Sequence, residues 1–413
     1  MNLTLSPRPI GGEIRAIASK SQAHRLLICA AFAEKPTKIV CAECSQDIDA
    51  TARCLSALGA QIDYCGDTFT VYPLDFPMVD AVLDCGESGS TLRFLLPIVA
   101  ALGISAEFVM RGRLPERPLS PLWELLQDNG IVLTRPTPNT LRMEGKLRSG
   151  SYQIAGHVSS QFISGLLFAL PLTGGDSKIM LTSELQSAPY IDMTLAALEQ
   201  FGIRVEVTES GWHLPAGQGY RSCGKLTVEG DWSNAAFWLC SGAICAPMRV
   251  TGLHLDSPQG DRRIVEILER FGAKIERGAQ EITVSPEILH GIELDASDIP
   301  DLVPPIALVG ACARGTTRIT GAQRLKIKES DRLLSVSQAI NRLGGRVEAT
   351  DDGLIIEGSA LNGGCIDSQN DHRIAMMAAI ASTVCRGKIE LEGADAVKKS
   401  YPRFWEDFRN LVI

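Results

Sequence analysis

The sequence predicts an α/β fold of two domains, each made of three copies of a unit with two helices and several strands. Three observations predict it: a recurring amphipathic helix, glycine and strand; a second helix that is apolar all round; and a last copy one strand short. Both helix types return about every seventy residues.

The amphipathic helix ends in LSALGAQIDY at 55–64, LLQDNGIVL at 125–133, LEQFGIRVEV at 198–207, LERFGAKIER at 268–277 and INRLGGRVEA at 340–349. Its glycines are Gly59, Gly130, Gly202, Gly272 and Gly344, spaced by 71, 72, 70 and 72 residues. Glycine suits the position after a helix because it takes positive φ without Cβ strain. The β-branched alternation after each glycine predicts a half-buried strand. The helix itself, polar on one side, belongs on the outside of a sheet.

The second helix is predicted at 20–33, 89–102, 159–170, 232–245, 301–313 and 371–383. Each stretch is rich in Ala, Leu and Ile and almost uncharged after its first turn, so it should be buried on every side. The sixth copy has its outer helix in YPRFWEDFRNLVI, 401–413, and ends without its last strand. The N-terminal segment 2–18, strand-like around Leu3–Leu5 and Gly12–Ala18, can supply it, which puts both termini in one domain. The expected division is a discontinuous domain, 1–18 with 230–413, and an inserted domain, 19–229, with a ligand cleft between them.

A chain of 413 residues that is 45% apolar can build real cores, which excludes a mainly disordered protein. Lys and Arg total 40 against 48 Asp and Glu; the net charge of −8 argues against a broad nucleic-acid surface but permits a local cationic pocket. The start, MNLTLSPRPIGGEIRA, has no basic stretch followed by an apolar one, and the 12 cysteines are scattered. Both features point to a reducing cytoplasm. Cys41 and Cys44 have no second pair or His at ligand spacing, so they read as ordinary thiols and no metal is expected. The longest uncharged stretch, Trp232 to Met248, contains Ser, Asn, Gly and Pro and falls short of a membrane span.

Polar residues collect where the apolar helices begin. A helix start offers N–H groups and a positive dipole end, and so suits anions. Lys20, Ser21 and Arg25 mark the first start, and CGESGSTLR, 85–93, the second. The glycines there let backbone N–H groups face a phosphate or carboxylate; a plain tight turn has the same letters, and the Lys-Ser/Thr ending of a Walker motif is absent. Ser159-Ser160-Gln161 opens the third; one serine can cap the helix, and three hydrogen-bonding side chains in a row also suit a ligand.

Arginine forks suit the same anions. Arg111, Arg113 and Arg117 precede a helix, RLKIKESDR at 324–332 holds Arg324, Lys326, Lys328 and Arg332, and Lys398, Lys399 and Arg403 lie near the end. A solvated charged face explains Lys326, Lys398 and Arg403 well. Arg117 beside prolines, and Arg332 and Arg373 at helix starts, fit a site better. Asp301, just before LVPPIALVG, is either a helix cap or a proton acceptor, and Glu329 is either a structural ion-pair partner or a proton carrier. His372, between Asp371 and Arg373, is either a cap or part of an anion or proton-transfer site. No Ser–His–Asp set is suggested. The residues alone point to small, multiply anionic substrates and proton transfer without a cofactor.

The motifs just described, read together, resemble a known family. They are Lys20-Ser21 with Arg25, Gly86–Arg93, Pro115-Glu116-Arg117-Pro118, Ser159-Ser160-Gln161 and Pro189-Tyr190-Ile191-Asp192. They continue with Asp298-Ile299-Pro300-Asp301, Lys328-Glu329-Ser330-Asp331-Arg332, Asn370-Asp371-His372-Arg373 and Lys399-Ser400-Tyr401-Pro402. In this order, and over nearly the whole length, the chain resembles the 5-enolpyruvylshikimate-3-phosphate synthase family of enolpyruvyl transferases. The resemblance implies that family's inside-out, barrel-like α/β fold: two domains of three βαβαββ-like units with buried central helices. It implies transfer of the enolpyruvyl group of phosphoenolpyruvate to the 5-hydroxyl of shikimate 3-phosphate, through a tetrahedral intermediate that loses phosphate. That reaction belongs to the shikimate pathway, which leads to chorismate and the aromatic amino acids.

By the same resemblance, Lys20, Arg117, Arg332, Arg373 and Lys399, with backbone at Gly89, would hold phosphoenolpyruvate. Ser21, Arg25, Ser159, Ser160, Ser187 and Lys328 would hold shikimate 3-phosphate, with Gln161 between the two ligands. Asp301 would take the hydroxyl proton. Glu329 would carry protons to and from the methylene carbon, assisted by Lys20, Lys399 and His372. No cofactor is implied. The chain departs from the family pattern at Glu87-Ser88-Gly89-Ser90-Thr91, where the commonest bacterial version has Asn-Ala-Gly-Thr-Ala. It departs again at Arg324, where many members have an asparagine that touches the ring, so that role is not carried over.

The alternative of nearest chemistry is a UDP-N-acetylglucosamine 1-carboxyvinyltransferase. Its mobile-loop cysteine has no counterpart in RGRLPERP, 111–118, and Ser159-Ser160-Gln161 suits a shikimate phosphate better. An RNA 3′-phosphate cyclase would need ATP and a nucleotidylated histidine, and neither the acidic charge nor the surroundings of His372 favour it. A non-catalytic six-repeat scaffold would spread basic residues evenly over the repeats, whereas here they collect at selected helix starts and loops. The expected partners are therefore two small anions, with no nucleic acid and no membrane. A monomer is expected, because both domains must rock freely about the crossovers.

Overall fold

The structure is a computed structural model that describes residues 1–413. The helices are α1 Lys20–Ala31, α2 Gln46–Leu58, α3 Gly89–Leu102, α4 Leu122–Asp128, α5 Ser160–Ala169 and α6 Ala188–Gln200. They continue with α7 Trp232–Ile244, α8 Ile264–Phe271, α9 Val303–Cys312, α10 Arg332–Arg342, α11 His372–Ser382 and α12 Phe404–Asn410. The odd-numbered helices are the apolar ones, and nearly every residue in them is buried. The even-numbered ones bury a single stripe; α8 does so with Ile264, Val265, Ile267, Leu268 and Phe271. The five marker glycines all have positive φ, from 75° at Gly202 to 120° at Gly59, which explains why the repeat keeps glycine there.

Side-chain caps start most of the apolar helices. Ser19, Ser88, Ser159, Asp231 and Asp371 each accept a hydrogen bond from an N–H two or three residues further on. The start of α9 differs from the expected one at 301. A 3-10 turn, Pro300–Leu302, precedes it, and Pro304 and Pro305 occupy the first helical turn, where a missing N–H costs nothing. Asp301 therefore caps no helix.

Six sheets surround these helices. In the regular pattern, the strand before an apolar helix lies parallel to the strand after it, and the hairpin beyond the amphipathic helix adds two antiparallel strands. Ala81–Gly86, Ala106–Met110, Thr140–Glu144 and Val132–Thr134 make one such sheet. The strands 151–154, 177–181, 211–214 and 206–208 make another, and 293–295, 316–320, 354–357 and 346–349 a third.

Two sheets exchange their first strands. Gly12–Arg15 runs along the chain into α1, yet it pairs in parallel with Met248–Thr251, which follows α7. Lys225–Thr227 runs into α7, yet it pairs in parallel with Thr37–Val40, which follows α1. The last sheet, Gly364–Asp367 with Ile389–Glu392, takes Leu3–Leu5 as its third strand, antiparallel to 389–392. Of the two N-terminal pieces, Leu3–Leu5 thus replaces the missing strand, because Gly12–Arg15 is already paired elsewhere.

The chain divides into two compact units, Met1–Ile17 with Glu229–Ile413 and Ala18–Val228, called here the split and continuous units. Each has its own hydrophobic core. Within the continuous unit α3 and α5 approach closely at Gly165: a Cβ there would stand 2.5 Å from the Arg93 carbonyl oxygen and 2.8 Å from Pro97 Cγ. Pro97 has no N–H to offer that carbonyl, so the backbone at Arg93 faces the neighbouring helix instead. No helix is long and apolar enough to cross a membrane.

Candidate active site

In the split unit the charges converge on Arg332, the first residue of α10, whose side chain is 2% exposed. Its Nε donates to Asp371 Oδ2 at 2.7 Å, Nη1 to Asp301 Oδ1 at 2.8 Å, and Nη2 to Glu329 Oε2 at 2.7 Å. Arg373, in the first turn of α11, pairs through Nη2 with Asp301 Oδ2 at 3.1 Å. One carboxylate is thus shared by two buried arginines. Burial works against ionising Asp301, but Arg373, Lys328 and Arg332 outweigh it and hold the carboxyl well below its usual range. Burial likewise works against the Arg332 charge, and Asp371, Glu329 and Asp301 overcome it.

The surrounding groups brace this cluster. Asp371 caps α11 through the Arg373 N–H and accepts from Ser330 Oγ at 3.0 Å. His372, also buried, places Nδ1 3.9 Å from Asp371 Oδ1. Lys399 Nζ donates to the Asn370 carbonyl at 2.5 Å, tying the end of the chain to the turn before α11. Lys328 is half-buried at the end of the 3-10 turn Gln323–Ile327.

In the continuous unit Lys20, the first residue of α1, pairs with Asp47 of α2 at 2.8 Å. Arg25 is buried. It donates from Nη1 to the Ser21 carbonyl at 2.6 Å, from Nη2 to the Tyr190 carbonyl at 2.8 Å and from Nε to Thr194 Oγ1 at 2.9 Å. Burial brings its pKa down to about 10, and no carboxylate neutralises it in this set of bonds. Gln161 lies between two groups: Arg93 Nη1 donates to its Oε1 at 2.8 Å, and its Nε2 donates to Ser90 Oγ at 2.9 Å. Gly89 leaves room for Arg117, since a Cβ there would stand 2.7 Å from Nη1 of that buried arginine. Ser159 caps α5, Ser160 follows it and is buried, and Ser187 precedes α6 with φ 58°. A non-glycine residue held in that region is a strained backbone of the kind that gathers at functional sites.

A protein-family model described as EPSP synthase (3-phosphoshikimate 1-carboxyvinyltransferase) matches residues 5–408. The chain belongs to the EPSP synthase family. It is 41% identical over 425 residues to a 3-phosphoshikimate 1-carboxyvinyltransferase of Clostridium beijerinckii, covering 99% of this chain and 97% of that protein. Its identity to the protein of the same description from Clostridium kluyveri is 42% over 413 residues, again covering 99% and 97%. A solved EPSP synthase from Acinetobacter baumannii superposes with a TM-score of 0.82 at 25% identity, over 100% of this chain and 98% of that one. The fold is that of the enolpyruvyl transferases. Membership of the EPSP synthase family makes the chain a transferase of the shikimate pathway that moves the enolpyruvyl group of phosphoenolpyruvate to shikimate 3-phosphate.

Measured against the family motifs, the structure groups Asp301, Glu329, Arg332 and Arg373 in one ion network, and Gly89, Arg117 and Gln161 around Arg93. Other cations stay outside these clusters. Arg111 pairs with Asp84 and Arg113 with Glu116, both exposed, so only Arg117 of that trio turns inward. Lys326 faces Asp351 and Arg403 faces Asp407 on the surface. Sequence reasoning missed Asp47, Arg93 and Asp261 as individual residues. Arg93 had a signal, a lone charge inside an otherwise apolar helix, which must find a partner when buried. Asp47, paired with Lys20, and Asp261, buried and accepting the Ser233 hydroxyl, had none, because their partners are chosen by packing.

Proposed function

We propose that both clusters serve the enolpyruvyl transfer. Lys20, Arg117, Arg332, Arg373 and Lys399, with the Gly89 backbone, hold the phosphate and carboxylate of phosphoenolpyruvate. Ser21, Arg25, Ser159, Ser160, Ser187 and Lys328 hold shikimate 3-phosphate, and Gln161 touches both. Asp301 accepts the proton of the 5-hydroxyl as its oxygen bonds to C2 of phosphoenolpyruvate, while Glu329 delivers a proton to C3. The resulting tetrahedral carbon then expels phosphate, and Glu329 takes a proton back from the methyl group, leaving the enol ether. Lys20, Lys399 and His372 assist these transfers. Fixing two anions in reacting order removes much of the entropic barrier. The carboxylates stabilise positive charge as it develops at C2. The protein acts as a cytoplasmic monomer on these small anions.

The observation that carries this reading is Asp301 between Arg332 and Arg373. A carboxylate gripped this tightly is ionised, ready to accept, but weakly basic. An anionic ligand drawn to Arg373 competes with Asp301 for that guanidinium and raises the basicity of the carboxylate when the acceptor is in place. The test is phosphate release from phosphoenolpyruvate with shikimate 3-phosphate or UDP-N-acetylglucosamine offered separately. Release is expected with the first only, and release with the second alone would overturn the reading. Asp301→Ala should still bind shikimate 3-phosphate by calorimetry while turnover falls by about 10²–10⁴. Unchanged turnover would remove Asp301 from its role.

A further inference from the structure

Behind the Lys20–Asp47 pair lies a second rung. His24 stands one turn after Lys20 on α1, and Thr51 one turn after Asp47 on α2, so each lies on the same helix face as its predecessor. His24 Nδ1 is 2.7 Å from Thr51 Oγ1, and Thr51 Oγ1 is 2.6 Å from Thr91 Oγ1. Thr91 Oγ1 in turn donates to Ser88 Oγ at 2.8 Å. All four residues are buried. Ser88 caps α3, and the two residues after it are Gly89, packed against Arg117, and Ser90, which accepts from Gln161. The chain therefore runs from the α1–α2 contact to the turn that presents Gly89.

Counting donors sets its polarity. A hydroxyl has one proton to give. Thr91 gives its proton to Ser88, so it accepts from Thr51, and Thr51 must accept from His24. His24 is then the neutral Nδ1–H tautomer, with an Nε2 lone pair that finds no hydrogen-bond partner. Its ring meets Phe94 edge-on, centroids 6.4 Å apart. Burial, and then the charges of Lys20 and Arg25, hold this imidazole well below its ordinary pKa, in keeping with a neutral ring.

We propose that His24, Thr51 and Thr91 are positioning residues for the phosphoenolpyruvate end of the site, a one-way hydrogen-bond chain that ties the Ser88–Ser90 turn to the helices carrying Lys20 and Asp47. This rests on the assignment of Lys20, Gly89 and Arg117 made above. Hydrogen bonds in such a series polarise one another; a valine at Thr51 leaves the His24 Nδ1–H and the Thr91 hydroxyl without that partner, and a valine at Thr91 does the same to the Thr51 and Ser88 hydroxyls.

The experiment uses Thr51→Val and Thr91→Val, with Thr51→Ser and Thr91→Ser as rescues and Arg117→Ala as the reference. The valine variants should raise KM for phosphoenolpyruvate about tenfold and leave KM for shikimate 3-phosphate within about twofold, and serine should restore both. Nitrogen NMR of the unmodified protein at about pH 7.5 should find His24 protonated at Nδ1 and bare at Nε2. A proton on Nε2 overturns the chain, and so does an unchanged KM for phosphoenolpyruvate in folded valine variants. If Arg117→Ala also leaves that KM unchanged, the site assignment itself has failed. If Arg117→Ala raises it and the valines do not, only the positioning chain falls. Should the valine variants not fold, the tautomer decides.

Discussion

Arg332 grips Asp371 with two nitrogens, Nε on Oδ2 at 2.7 Å and Nη2 on Oδ1 at 3.3 Å, across 39 residues of sequence. Both side chains are buried, and the remaining Arg332 contacts reach Asp301 and Glu329. Only a planar fork serves three carboxylates at once.

Arg332→Lys keeps the charge but reaches fewer of these oxygens. At least one buried carboxylate then loses its hydrogen-bond donor, so the loss should be about 1–3 kcal/mol of unfolding free energy. Urea unfolding measures it. A loss below about 1 kcal/mol, the range of an exposed pair, would mean that the cluster does not act as one electrostatic body.

Gly89→Ala tests the close contact with Arg117. The position lies in the first turn of α3, so the cost is contact rather than backbone strain. The new Cβ would meet Arg117 Nη1 at 2.7 Å and Arg93 Nη1 at 3.1 Å, and the guanidinium, at the end of a flexible side chain, moves aside. A displaced anion clamp should raise KM for phosphoenolpyruvate by about tenfold or more with little change in melting temperature. Steady-state kinetics with each substrate varied would expose the opposite result, an effect confined to shikimate 3-phosphate.

These residues also show how far the letters reach. The seventy-residue period was legible because positive φ after each helix demands glycine, and φ is a local property. The exchange of Gly12–Arg15 and Lys225–Thr227 was not. Both are short strands before an apolar helix, and nothing local distinguishes the sheet each will join. The helix starts announced Arg332 and Arg373, since cations there are conspicuous in an acidic chain. Their sharing of Asp301 was hidden, because α9 begins two residues late behind a 3-10 turn and releases that side chain from capping.

His213 supplies a pH-dependent contribution on the surface. Its Nε2 lies 2.7 Å from Asp176 Oδ1 and its Nδ1 2.9 Å from Glu206 Oε2, so only the protonated ring can donate to both. Glu206 and then Asp176 raise its pKa. A raised folded value means the stabilisation is complete below the unfolded pKa of about 6.5 and fades as pH rises through the folded one. NMR titration should show the His213 midpoint falling toward about 6.5 in Glu206→Gln; an unmoved midpoint would rule out Glu206 as the main cause.

Asp261 moves stability in the same direction with pH, but as a cost that grows rather than a gain that fades. It is buried in the 3-10 turn before α8, accepts the Ser233 hydroxyl on Oδ2, and has no hydrogen-bond partner for Oδ1. Burial, and then the charge of Asp301, push its carboxyl up to about 7, against the pull of Arg373. The folded protein thus keeps a proton that the unfolded chain releases above about pH 4, so stability falls as pH climbs from there to about 7 and levels off beyond. Asparagine accepts from Ser233 through its amide oxygen and cannot ionise. Asp261→Asn should therefore gain on the unmodified protein steadily across that interval, by an amount on the order of 2–4 kcal/mol at its upper end. Urea unfolding at three pH values separates the outcomes: parallel curves for the two proteins would mean that Asp261 is already ionised at the acid end, with Arg373 as its true counter-charge.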